Sequence, residues 1–248
     1  MKHSIFYILF SFFLISCADS SKESDKSKNT LIQVDVKYYG ALKTMMHKGD
    51  LSAQVKLSDF AKTKHLYGIG AFENLKGEIQ IYNGIPYNTF VLDSAVAFDK
   101  SFDKKAALFV TAVVENWNSF EIPNGIKSHE QLEKHIALVA QKNNINVEEP
   151  FPFLINGTIE SFDWHVINWK NGDLEHSHEK HVNSGLNGTI KNRNVELLGF
   201  YSNSHHTIFT HHTTNMHIHV KTTDNEIAGH VDGLALGEKM VLKLPASN

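Results

Sequence analysis

The sequence is poor in arginine and cysteine, and these shortages exclude two classes of protein. Cys17 is the single cysteine, so the chain can form no internal disulfide. Arg193 is the single arginine and the net charge is -3 at pH 7, so nothing in the composition favours binding to nucleic acid. The sequence therefore predicts a small-molecule partner.

The N-terminus has the pattern of a bacterial lipoprotein signal peptide. Lys2 is followed by an apolar run that is too short to span a bilayer and ends at Cys17. We therefore predict a signal peptide over residues 1–17, with lipidation of Cys17; a plain secretory signal with a chance cysteine is the alternative. Lipidation would be the only membrane attachment and would place the protein in the cell envelope, on the periplasmic side or the cell surface.

Two further regions follow the predicted signal peptide. Residues 18–30 are mostly Ser, Lys, Asp and Glu, which is typical of a flexible tether. Residues 31–248 contain no second linker and no repeat, so we predict a single domain. The sequence leaves the oligomeric state open.

Short segments rich in Val, Ile, Phe, Thr and Trp, bounded by Gly, Asn or Asp, predict a strand-dominated α+β fold. We expect mixed or antiparallel β-sheets with a few flanking helices. The pair Asn83-Gly84 suits a tight hairpin turn. Further strands are predicted in the segments "AALFVTAVVENW", "FPFLINGTIESFDWHVINW", "NGTIKNRNVELLGFYS", "MHIHVKTT" and "EKMVLKL".

Helices are predicted at few places. The clearest is "SHEQLEKHIALVAQKNN", where Ser128 and Gln131 form a capping-box pattern ahead of an apolar face. A weaker helix is expected over 40–49, and another over 57–63.

The segment "MHIHVKTTDNEIAGHV" carries the main functional signal. With a turn at residues 224–225, His219 lies opposite His230 on the partner strand. His217 lies two residues from His219 and therefore shares its face of the sheet. Gly229 would allow the backbone to bend or approach closely beside this site.

Three neutral histidines that leave one position open are typical of a catalytic zinc site. The predicted register places His217, His219 and His230 close enough to bind one ion. The alternative interpretation is a polar surface on an exposed strand. We favour the metal site, because the register brings all three side chains to one face.

Two other histidine clusters are weaker candidates. "EHSHEKH", with His176, His178 and His181, lies among charged residues and is predicted to be solvated surface. "SHHTIFTHH" could line the same pocket as the hairpin. Its histidines occur as adjacent pairs, so at most one member of each pair could face the metal.

The histidine hairpin resembles the metal-binding segment of the alpha-acetolactate decarboxylase family, which has the same spacing and a similar Gly-His-Val context. The segments "YYGALKTMMHKGDLSAQVKLSDF", "HLYGIGAFENLKGEIQIYNGIPY", "FPFLINGTIESF" and "VELLGF" are also similar to segments of that family. Together they cover most of residues 38–245. The resemblance implies a fold of β-elements and flanking helices built around one zinc site.

The resemblance also implies a reaction, the decarboxylation of 2-acetolactate to acetoin. Zinc would act as a Lewis acid that accepts the charge left by the departing carboxylate. Glu78, in "LKGEIQ", matches a family active-site glutamate that would serve as acid or base or orient a metal-bound water. Without the resemblance, the alternating residues Glu78, Gln80 and Tyr82 would predict a solvent-facing polar stripe.

Two features depart from the family. By spacing, His165 or a neighbour occupies the place of an active-site arginine, and Arg193 is far from that register. His165 is therefore a candidate for holding the substrate carboxylate, although histidine lacks the bidentate fork of arginine. The sequence also stops before the family's C-terminal tail, which carries another active-site glutamate.

Three functions therefore stay open. The first is a zinc-dependent acetolactate decarboxylase. The second is a related lyase or isomerase that acts on another 2-hydroxy-3-keto acid, which both departures favour. The third is a lipid-anchored metal-binding protein without catalysis, which would bind several ions per chain and would not depend on Glu78.

Overall fold

The computed structural model describes residues 31–247. The predicted signal peptide, the lipidation site Cys17 and the tether lie outside the described residues. Within residues 31–247, no helix has both the length and the apolar character needed to cross a bilayer.

The described chain folds into two β-sheets, in which every strand pairing is antiparallel. The first sheet contains β1 (Lys37–Tyr39), β2 (Val55–Lys56), β3 (Leu66–Phe72), β4 (Glu78–Tyr82), β5 (Ile85–Pro86), β6 (Asn88–Leu92), β7 (Ala95–Asp99) and β8 (Lys105–Val113). The second contains β9 (Trp117–Glu121), β10 (Phe151–Val166), β11 (Leu186–Tyr201), β12 (Met216–Thr222), β13 (Ala228–Ala235) and β14 (Val241–Pro245). The predicted strand-dominated fold is confirmed.

The strand order places β10 at the centre of the second sheet. The first sheet runs β1-β8-β3-β4-β6-β7, with β2 on β8 and β5 on β4. The second runs β11-β12-β13-β10-β14-β9, and β10 and β11 also pair directly. The strands β12, β13 and β10 that carry the candidate histidines are therefore neighbours.

Three helices accompany the sheets in the described residues: α1 (Leu42–Lys48), α2 (His129–Lys142) and α3 (His178–Asn183). The predicted capping box of α2 is confirmed, since the Ser128 side chain accepts from the Gln131 backbone and the Gln131 side chain accepts in return. The helix expected over 40–49 forms as α1. The segment 57–63 forms only a 3-10 turn over Leu57–Phe60, and α3 was not predicted.

The described residues form three hydrophobic cores, and a polar layer around the candidate histidines lies between the two sheets beside one of them. On β12, Ile218 and Val220 pack in the core that also contains Leu132 and Ile136 of α2. His219 points to the opposite face, toward the first sheet, where it contacts Gln80 of β4. The second sheet is therefore covered by α2 on one face and by the first sheet on the other.

The same alternation on β4 completes the polar layer. Ile79 and Ile81 pack in a core on the outer face of the first sheet. Glu78 and Gln80 point the other way, toward the second sheet, and both are buried. The metal-site candidates thus lie between two sheets rather than on an open strand.

The Asn83-Gly84 hairpin forms as the sequence predicts. Tyr82 pairs with Ile85, and Asn83 and Gly84 have φ values of 49° and 78°. Positive φ at both central residues is what a type I′ turn requires.

Candidate metal centre

Three histidines lie side by side across three neighbouring strands. His219 of β12 is the backbone partner of His230 of β13, as the predicted register requires. His230 is in turn the partner of His165 of β10. The row across β12, β13 and β10 therefore contains two predicted metal ligands and the predicted substrate-side histidine.

His217, His219 and His230 form a nearly equilateral triangle of rings. Their centroids are separated by 5.0, 5.2 and 5.4 Å, and the Nε2 atoms of His217 and His219 are 3.2 Å apart. Imidazoles bound tetrahedrally to one ion through nitrogens at about 2.0 to 2.1 Å would have those nitrogens roughly 3.3 Å apart. The arrangement fits one zinc-sized ion.

His219, on the second sheet, is oriented by a residue of the first sheet. Gln80 donates from Nε2 to the backbone oxygen of Tyr87 at 2.6 Å, so its Oε1 faces His219 Nδ1 at 3.0 Å. His219 must therefore donate from Nδ1, which leaves the Nε2 lone pair free in the neutral ring. A hydrogen bond of this kind fixes the tautomer that a metal ligand needs.

The two histidines of β12 are kept neutral by their surroundings. Burial lowers the pKa of His217 and of His219 well below the ordinary histidine value, and neighbouring histidines lower it further. Only the neutral ring binds a metal. The Nδ1 atom of His217 is buried and has no hydrogen-bond partner among the described residues.

Glu78 lies against the histidines and is only 3% exposed. Its Oε1 accepts a hydrogen bond from the Ile167 backbone at 3.1 Å, and its Oε2 lies 3.8 Å from His219 Nε2. Burial raises the pKa of Glu78, although the nearby His165 and His230 oppose that rise. The alternative of a solvent-facing stripe is wrong, because β4 is covered by the second sheet.

His165 is buried beside Glu78, with its Nε2 atom 3.8 Å from Glu78 Oε1. Its Nδ1 atom lies 2.8 and 3.0 Å from the carboxylate oxygens of Asp232. Since a carboxylate can only accept, His165 donates from Nδ1 and presents Nε2 to Glu78.

Asp232, like Gln80, belongs to this cluster without having been singled out from the sequence. Besides His165, it contacts His230 Nδ1 at 3.4 Å and His178 Nε2 at 3.7 Å. Burial alone would raise the pKa of Asp232, but hydrogen bonds from His165 and His230 hold it well below its usual range. Asp232 lies two residues after His230, but the direction of its side chain depends on a register shift at this position, which the sequence does not reveal.

Asp232 also raises the question of which residues would bind a metal. His165, His230 and Asp232 bring ligand atoms within 4.8 Å of one another. However, His165 Nδ1 lies at hydrogen-bond distance from Asp232 and must carry a proton, so that atom cannot bind an ion. This second group shares His230 with the triangle of His217, His219 and His230.

Gly229 brings the strands together at the site. A Cβ atom added to it would lie 2.4 Å from the backbone oxygen of His165. The close approach expected at this glycine is therefore present, between β13 and β10.

The segment "EHSHEKH" is partly exposed and partly half-buried. The loop 167–185, between β10 and β11, folds back so that His176 stacks on Trp169 with centroids 4.5 Å apart, and His181 packs at its edge. His178 reaches Asp232. The predicted solvated surface therefore holds for His178, which is 59% exposed, and only in part for His176 and His181, which are half-buried. In the "SHHTIFTHH" cluster, the ring centroid of His211 lies 5.8 Å from that of His178.

The single arginine does not belong to the site. Arg193 pairs with Asp224 and Glu226 at the turn between β12 and β13. His165 lies among the site residues instead.

Comparison with known proteins agrees with this fold. A family model described as alpha-acetolactate decarboxylase matches residues 38–246. A Staphylococcus aureus protein of unknown function, described as similar to alpha-acetolactate decarboxylase, superposes with a TM-score of 0.67 at 15% identity over 84% of each chain. The alpha-acetolactate decarboxylase of Bacillus subtilis strain 168 and the acetolactate decarboxylase of subspecies spizizenii each superpose with a TM-score of 0.67, at 15% sequence identity over 86% of each chain. No curated protein sequence matches the chain.

Proposed function

The chain belongs to the alpha-acetolactate decarboxylase family, and on that premise we propose that it is a zinc-dependent carboxy-lyase that converts 2-acetolactate to acetoin and carbon dioxide. The observation that carries the proposal is the triangle of His217, His219 and His230 with Glu78 facing it. This combines three converging histidines with a buried proton carrier.

The three histidines would hold the ion through one nitrogen each. Zinc, when bound there, supplies a Lewis acid that polarises substrate oxygens. His219 is held for this by Gln80, and Gln80 is itself fixed by the backbone of Tyr87. The hydrogen bonds that orient His219 are thus present without the ion, which favours tight binding of one ion.

Glu78 would carry the proton that replaces the lost carboxyl group. Its carboxyl lies between His219 and His165 and is shielded from water, so a proton on it is not lost to solvent. Because burial raises its pKa, Glu78 can hold a proton nearer to neutral pH than an ordinary glutamate does. The backbone N–H of Ile167 fixes the orientation of the group.

His165 would position the substrate carboxylate. Its Nδ1 is held by Asp232, so Nε2 is the atom available to the substrate, on the side of Glu78. A substrate carboxylate can accept from Nε2 only when both ring nitrogens of His165 carry a proton, and it then receives one hydrogen bond where an arginine would offer two.

A second candidate follows from that difference. Arg193 is committed to the hairpin turn, and the part of the site that the structure describes is built from histidines and carboxylates. A related lyase or isomerase acting on another 2-hydroxy-3-keto acid would suit this site equally well. A protein that only stores metal is the third possibility and predicts several ions per chain.

The first experiment measures acetoin formation by the full chain, purified in mild detergent, stripped of metal and then titrated with zinc. Racemic 2-acetolactate is the substrate, and H219A is compared with H205A, a histidine bonded to Ser202 away from the triangle. Turnover that saturates at one equivalent of zinc and is lost in H219A alone supports the proposal. Stoichiometric zinc without turnover of 2-acetolactate overturns it.

We also propose that Cys17 anchors the protein to the cell envelope by a lipid. The basic start and apolar run before Cys17 support this placement. Replacement of Cys17 by serine should abolish incorporation of labelled palmitate into the chain. Unchanged labelling would contradict the anchor.

A further inference from the structure

Asp232 is a carboxylate of the described site that contacts more than one histidine. It lies in β13, where Trp164 pairs with Val231 but Asp163 pairs with Gly233. Asp232 is therefore the extra residue of a β-bulge and has no backbone partner on β10. Bulges beside active sites often re-aim a side chain, and here the carboxylate is turned toward the site.

The carboxylate touches histidines that serve different purposes. One is His230, which belongs to the ligand triangle and faces Asp232 with Nδ1 at 3.4 Å. Another is His165, bonded at 2.8 Å, which does not belong to the triangle. These two histidines are themselves backbone partners, with ring centroids 4.9 Å apart. A single carboxylate therefore lies beside the Nδ1 atoms of both rings.

We propose that Asp232 is a positioning residue that couples the metal ligand His230 to the substrate-side His165. Asp232 accepts from His165 Nδ1 at 2.8 Å, which leaves the other nitrogen of His165 to the substrate. Its carboxylate also lies 3.4 Å from His230 Nδ1, an atom with no hydrogen-bond partner among the described residues, and would direct the other nitrogen of His230 to the ion. This inference deepens the proposed function and rests on it.

The chemistry of the side chain explains why an aspartate is needed. A carboxylate has two acceptor oxygens and can satisfy two N–H donors at once. An asparagine at position 232 has one acceptor oxygen and one NH2 group. It can accept from one ring, but it presents a donor to the other, so D232N must release either His165 or His230.

The first test measures zinc affinity by competition with a chromophoric chelator. D232N should weaken zinc binding about 10- to 100-fold, which is typical when a partner of a ligating histidine is lost. D232E keeps both acceptor oxygens and should recover part of the affinity. D224N, the same substitution at the exposed turn of this hairpin, is the matched control and should leave affinity within about twofold.

The second test asks whether the effects of D232N on kcat/KM and on zinc affinity depend on His165. At saturating zinc, D232N should lower kcat/KM in the wild-type background but change it little in H165Q, because both variants remove the same interaction. Its cost in zinc affinity should shrink in H165Q, because the asparagine oxygen is then free to accept from His230 Nδ1.

NMR of the 15N-histidine-labelled, metal-free protein supplies a readout that needs no turnover. The Nδ1–H signals assigned to His165 and His230 by H165Q and H230Q should shift in D232N and stay unchanged in D224N. If the chain fails to decarboxylate 2-acetolactate, affinity and NMR still decide the role of Asp232. Unchanged zinc affinity and unchanged NMR signals in D232N would overturn the positioning role of Asp232. A second zinc ion that binds the wild type but not D232N would also overturn it, since Asp232 would then be a ligand.

Discussion

His165 and His230 are direct backbone partners across β10 and β13, with ring centroids 4.9 Å apart and with Asp232 bonded to one ring and 3.4 Å from the other. The pairing joins residues far apart in the sequence. It places the substrate side of the proposed site next to the metal side and ties their geometry together.

Replacement of Glu78 by glutamine should separate catalysis from metal binding. The new side chain would still accept from Ile167 but could not transfer a proton, so kcat should fall about 100- to 10,000-fold. Zinc affinity should change little. The metal-free variant should be more stable to urea than wild type, because a carboxylate whose burial is unfavourable is removed. E160Q, an exposed glutamate of β10, is the control; equal loss of activity there would argue against the role of Glu78.

Replacement of Gln80 by leucine should weaken zinc binding without removing a ligand. His219 would lose the acceptor that fixes its tautomer, so affinity should fall about 10- to 100-fold. Chelator competition measures this, with Q141L on the exposed face of α2 as control. Retained affinity in Q80L would show that packing alone orients His219.

Substitution of Gly229 by alanine should force β13 away from β10. The new Cβ would meet the His165 backbone oxygen at 2.4 Å, and we expect a loss of about 1 to 3 kcal/mol in unfolding free energy. Zinc affinity should fall as His230 moves. G125A is the matched control, because no atom lies within 4 Å of its added Cβ. Urea unfolding that is unchanged in G229A would mean that the strands can separate without cost.

Replacement of Arg193 by alanine should leave KM for the substrate within about twofold of wild type. The side chain pairs with Asp224 and Glu226 at a turn and does not face the site. Steady-state kinetics test this, beside H165A, for which KM should rise. A large KM increase in R193A would instead place this arginine in substrate binding.

The stability of the metal-free protein should depend on pH through His181. Burial and the neighbouring His176 lower the pKa of His181 to about 4. As pH falls, His181 of the unfolded chain therefore binds a proton before His181 of the folded chain does. The neutral His181 contributes its full stability above about pH 6.5, and this contribution is lost as pH falls toward 4. We expect the loss to be about 1 to 2 kcal/mol after allowance for partial exposure.

The H181Q variant should flatten this profile between pH 6.5 and 4 in chelator-treated samples followed by thermal unfolding. H47Q, at an exposed histidine of α1, is the control and should follow the wild-type curve. Parallel profiles for H181Q and wild type would assign the acid sensitivity to other groups.

Local patterns were sufficient to predict the hairpins and the main helix. The pairing of His219 with His230 follows from the turn at 224–225 and from strand alternation, which involve only nearby residues. The capping box at Ser128 and the Asn83-Gly84 turn are likewise short-range features. The role assigned to Glu78 required the family resemblance, since its own strand gave no sign of which face would be buried.

The sequence by itself therefore determined the triangle of His217, His219 and His230, because strand periodicity and one turn decide which side chains share a face. Only the tertiary structure decided what surrounds that triangle. Gln80 reaches His219 from the other sheet, and Asp232 is turned inward by a bulge. These contacts depend on how two sheets stack and where a register shifts, and such long-range packing leaves no periodic signal in the sequence.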